Sequence, residues 1–127
     1  MLKVFLVAMV STAIAQTPDG AVKGQVALVS ACYADVMKEA VKARVTPATY
    51  ERNMRVGCTS HEERLNELIK SSVPAELQQR FIPRLRERSV VTYFFILQRM
   101  VPLYKDQCAA TDYSCIIKLD ASSKKPE

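Results

Sequence analysis

A chain of 127 residues, 49% of them hydrophobic, is long enough for one small domain with a modest core and too short for several. Its net charge of +5 is scattered rather than gathered into a block, which argues against a nucleic-acid binder. Only 3 glycines leave little tight-turn chemistry for a phosphate-cradling loop, and 4 cysteines beside a single histidine point to disulfides rather than a zinc site.

Residues 1–15 read as a signal peptide. Lys3 supplies a short positive region, Val4 to Ile14 is apolar apart from Ser11 and Thr12, and Ala13-Ile14-Ala15 puts small residues where a signal peptidase reads them. The run is shorter than the ~20 residues a membrane span takes. The first cysteine, Cys32, is too distant for a lipid anchor. Cleavage is expected after Ala15, leaving residues 16–119 as a single helical domain and 120–127 as a disordered polar tail. Export makes the four cysteines a disulfide framework. The expected location is the periplasm, with extracellular secretion as the alternative.

Asp19 stands ready to cap a first helix, although Gly20 and Gly24 weaken its opening turns. Val22, Val26, Val29, Tyr33, Val36 and Ala40 then recur at helical spacing, with Cys32 on the same face and Gln25, Asp35, Lys38 and Lys42 opposite. This predicts an amphipathic helix over 21–44. Thr46 is a good N-cap and Pro47 suits the first helical position. From there Tyr50, Met54, Cys58, His61, Leu65 and Ile69 form one stripe over 47–71. Gly57 and the capping-box sequence Ser60-His61-Glu62-Glu63 offer a second start at Ser60, but the stripe keeps its phase and one helix is expected.

The two segments make a helical hairpin, and its cysteines are placed symmetrically. Cys32 lies fourteen positions before Thr46 and Cys58 twelve after it, so both sit about 20 Å from the turn at ~1.5 Å per residue. Four cysteines allow three pairings. The hairpin symmetry selects Cys32–Cys58 and leaves Cys108–Cys115.

Ser71-Ser72-Val73-Pro74 breaks the chain, and Ala75 to Phe81 has room for two helical turns before Pro83. Val90 to Leu97 has strand-like composition, yet a lone strand would leave its backbone groups unpaired, so a helix from 83 to 100 or beyond is the better reading. Val91, Phe94, Phe95, Leu97 and Met100 cover most of its circumference. Such a helix is central to the core, or else a dimer seam or a ligand wall. Pro102 kinks or ends it, Cys108 and Cys115 enclose six turn-favouring residues, and Ile116-Ile117 is a last apolar patch.

No catalytic, cofactor-binding or metal-binding set emerges. Cys58-x-x-His61 lacks two further ligands, Glu62 and Glu63 read as the acidic first turn of a helix, and Arg80, Arg84, Arg86, Arg88 and Arg99 read as a solvated face before they read as a membrane or polyanion contact. Insect odorant-binding proteins are also small stapled helical proteins, but Cys108 and Cys115 are too close together for that family and no Cys-x-x-x-Cys occurs. The reading is therefore an all-α protein, a three- or four-helix bundle on a disulfide-stapled hairpin. It is expected to be a non-enzymatic envelope interaction module that binds a protein partner or itself through residues 83–104. The alternative is a carrier of a small apolar ligand, in a closed cavity lined by Met54, Phe94, Phe95 and Met100.

Overall fold

The computed structural model describes residues 18–119, and the expected signal peptide and polar tail lie outside them. The described residues are all-α, running α1 (Pro18–Ala43), α2 (Pro47–Gly57), α3 (Thr59–Ile69), α4 (Ala75–Met100), a 3₁₀ turn (Pro102–Tyr104) and α5 (Tyr113–Ile116). Among them, no helix is long and apolar enough to cross a membrane.

The hairpin follows from its turn. At the end of α1 the Arg44 N–H donates to the Val41 carbonyl and the Val45 N–H to the Ala40 carbonyl, a Schellman closure that needs a left-handed residue. Arg44 takes that conformation, with φ 51°. Thr46 Oγ1 then accepts from the Thr49 N–H to cap α2, and Pro47 opens it. α1 lies back along both α2 and α3. Cys32 and Cys58 are disulfide-bonded with Cα atoms 5.9 Å apart, and Cys108 pairs with Cys115.

Two expectations about helix continuity are corrected. The stretch expected as one helix over 47–71 is two, broken at Cys58, whose φ of −115° leaves the helical region. The apolar stripe survives because the hydrogen-bond ladder passes through: the Cys58 N–H still reaches Met54 O at 2.8 Å, and the Glu62 N–H reaches Cys58 O at 3.0 Å. Three local features put the bend there. Gly57 weakens the turn, the staple holds Cys58 against α1, and Thr59 Oγ1 donates back to the carbonyls of Arg55 and Val56. The second helix starts at Thr59 rather than Ser60, and no side chain caps it.

The opposite correction applies at Pro83, which lies inside one continuous α4 rather than between two helices. Proline has no N–H to give the carbonyl of Gln79. Gln79 and Pro83 are both exposed, so water can serve that carbonyl and the kinking penalty is reduced.

The core is one cluster that includes Tyr33, Tyr50, Met54, Tyr93, Phe94, Leu97 and Tyr104. The rings of Tyr50 and Tyr93 lie 4.6 Å apart, and Phe94 meets Tyr104 edge-on at 6.2 Å. The hydroxyls of Tyr33, Tyr50 and Tyr93 each have a backbone or carboxylate acceptor. Tyr50 donates to the Tyr33 carbonyl at 3.2 Å, and Tyr93 lies 2.7 Å from the Val45 carbonyl and 3.0 Å from that of Ala40, tying α4 to the hairpin turn.

Candidate functional site

The residues singled out on the last long helix do not form one wall. Phe94 and Leu97 are fully buried, Val91 and Met100 are half-buried, and Phe95 is 49% exposed. Phe95 borders a shallow cleft with Gln98, Arg99, Pro102 and Lys105, on the outer side of α4. All-round burial of this helix is thus not observed: Thr92, Phe95 and Arg99 face solvent. Met54 and Phe94 are fully buried in the core.

A polar centre sits where α1, α3 and α4 converge. Glu62, on α3, is 5% exposed. It receives the Arg86 guanidinium at both oxygens, Nε to Oε2 at 3.0 Å and Nη2 to Oε1 at 2.7 Å, and it also accepts from the Tyr33 hydroxyl. The salt link raises the Arg86 pKa further above its ordinary value. Burial, reinforced by the hydrogen bond to Glu62, pushes the Tyr33 hydroxyl well above its own. A cleft of about 590 Å³ opens over Glu62 and Arg86, whose charged groups are bonded to each other. His61 is half-buried, and its carbonyl accepts from Gln25 Nε2 at 3.0 Å. No group of three or more potential metal ligands occurs among the described residues.

The feature that remains open is a groove of about 930 Å³ between α1 and α4. α1 packs more closely on α3 than on α4, so the two long helices leave a trough. Its floor is apolar and half-buried, formed by Val26, Met37 and Val41 of α1 and by Leu85 and Ile96 of α4. Tyr33 lies beneath, held from behind by its bond to Glu62. The rim carries Lys38, Lys42 and Arg88, and Glu39 is the one acidic residue lining the groove. At the Leu85 end the groove runs into a smaller cleft of about 310 Å³ with Leu77 and Phe81 between Arg80 and Arg84.

The sequence reading passed over this groove. Leu77, Phe81 and Leu85 repeat at intervals of four, alongside Arg80, Arg84 and Arg88 at the same interval, so both rows run along one side of a helix. Taking Pro83 as a helix boundary split both rows, so the arginines read as a solvated face with no apolar row beside them.

No protein-family model, curated protein or solved structure matches the chain. The two disulfides belong to a protein that folds in a non-reducing compartment.

Proposed function

We propose that this is an exported, non-enzymatic interaction module that holds a segment of a partner protein in the groove between α1 and α4. The observation that carries the reading is the groove itself: half-buried apolar side chains line an open trough, while the core behind it is closed and its polar groups are paired. A trough with two helical walls suits an extended apolar stripe better than a compact small molecule. The periplasm is the compartment proposed, on the leader sequence and the disulfides together. Cell fractionation tests that, since recovery from the medium would indicate secretion instead.

The carrier reading keeps one supporting observation, because about 930 Å³ falls within the size range of small-molecule sites. A photo-crosslinking residue at Thr92, exposed on the groove, separates the two in the cells that make the protein. The same residue at Asn53, exposed on α2, serves as control. A peptide adduct at Thr92 and not at Asn53 is expected. A lipid-sized adduct would favour the carrier, and no groove-specific adduct at all would end the interaction reading.

A further inference from the structure

We infer that the segment held by the groove is an acidic amphipathic helix of another protein; this rests on the interaction reading above and adds the chemistry of the partner. The argument is charge complementarity around an apolar floor. Five cations border the groove and its extension, Lys38, Lys42, Arg80, Arg84 and Arg88. Against them, among the described residues lining the groove, stands only Glu39, which lies 3.6 Å from Lys42 in a solvent-exposed pair.

Arg86 shows the contrast on the same helix. Its guanidinium is bound by Glu62, whereas Arg80, Arg84 and Arg88 form no ion pair among the described residues and are exposed. The apolar and arginine rows stay in register over the three turns from Leu77 to Arg88. A helix that lays leucine-like side chains on Val26, Met37, Val41, Leu85 and Ile96 would bring its flanking positions beside this rim. Carboxylates there gain charge-assisted contacts, and lysines there are repelled.

Other occupants fit less well. A second copy of this chain docking by the same face would bring the two cationic rims together. Residues 120–127 carry Lys124 and Lys125 and no large apolar side chain, and Lys3 heads the apolar run of the leader. An anionic membrane would satisfy the arginines, but a concave trough presents less apolar surface to a flat bilayer than a convex helix does.

The test uses the full exported protein and two synthetic helical peptides of about four turns. They share one leucine stripe, flanked by glutamates in one and by lysines in the other. The glutamate peptide is expected to bind at least tenfold more tightly, to weaken as salt rises, and to lose that preference to the lysine peptide when the protein carries Arg80→Glu, Arg84→Glu and Arg88→Glu. These three side chains are exposed, so unchanged helical circular dichroism is expected of the variant.

Equal binding of both peptides would overturn the acidic-helix inference and leave the interaction reading standing. So would failure of both peptides while Thr92 still crosslinks a protein segment in cells, or crosslinks this chain to itself. Failure of both with no groove adduct would overturn the two together. Arginine-dependent binding to phosphatidylglycerol vesicles, with neither peptide bound, would replace the partner helix by a membrane surface.

Discussion

Arg44 is the one non-glycine residue with positive φ among the described residues, and it sits where a Schellman closure ordinarily places glycine. Its Cβ carries a steric penalty that glycine lacks. Arg44→Gly is therefore expected to stabilise the protein by about 1 kcal/mol, part of the gain being offset by the freer unfolded chain, as thermal denaturation will read. The adjacent phenylalanines of α4 make a second residue-scale contrast. Phe94 is fully buried against Tyr104, and Phe95 is half exposed. Truncating Phe94 to Ala should cost about 3–5 kcal/mol, and the same change at Phe95 less than about 1 kcal/mol. Equal losses in urea titrations of the two variants would mean that the outer face of α4 is covered.

At the scale of elements, the two disulfides differ in what they constrain. Cys32–Cys58 spans 26 positions and ties α1 to the break between α2 and α3, whereas Cys108–Cys115 spans 7 and closes a surface turn. The chain-entropy relation gives about 3.5 kcal/mol for the first and about 2.5 kcal/mol for the second. Replacing Cys32 and Cys58 by Ala should lower the melting temperature more than replacing Cys108 and Cys115. The reverse order would show that the C-terminal turn is what holds the core together. The hairpin, its Thr46-Pro47 turn and its staple were legible in the sequence because each depends on local chemistry and simple spacing. The break at Cys58 was not, since a stripe that keeps its phase looks the same whether the backbone bends or not. Pro83 misled for a related reason: whether a proline ends a helix depends on whether water reaches the carbonyl of Gln79, and exposure is a property of the folded whole. The groove lies between α1 and α4, and how two helices pack is not encoded in either one alone. Its basic and apolar rows were readable once residues 75 to 100 were taken as one helix.

For the molecule as a whole, the tyrosines set the upper pH limit of stability. Tyr33, Tyr50 and Tyr93 are each nearly or fully buried, and each spends its hydroxyl on an acceptor of another segment. Burial is the main cause in all three of a pKa above the ordinary 10.0 of tyrosine. Tyr50 is pushed up to about 12, and Tyr33 and Tyr93 are raised further. The sign follows from which state holds the proton. Below pH 10 folded and unfolded chains both keep these hydroxyls protonated, so the three contribute no pH dependence there. As pH rises past 10 the unfolded chain ionises first, and each tyrosine then favours unfolding by up to about 1.4 kcal/mol per pH unit. Three such groups acting together approach about 4 kcal/mol per unit, which within two units rivals the whole stability of a small domain, roughly 5–15 kcal/mol. Unfolding is therefore expected between about pH 11 and 12. Tyrosinate absorbance from the buried rings and loss of helical circular dichroism should rise and fall together. Tyr50→Phe should reduce the slope of stability against pH above pH 11 by up to about 1.4 kcal/mol per unit, while costing about 1 kcal/mol near neutrality for the lost bond to the Tyr33 carbonyl. Smooth titration of all the tyrosines near pH 10, with the helices intact, would show that these rings are open to water and that the core described here is not the one in solution.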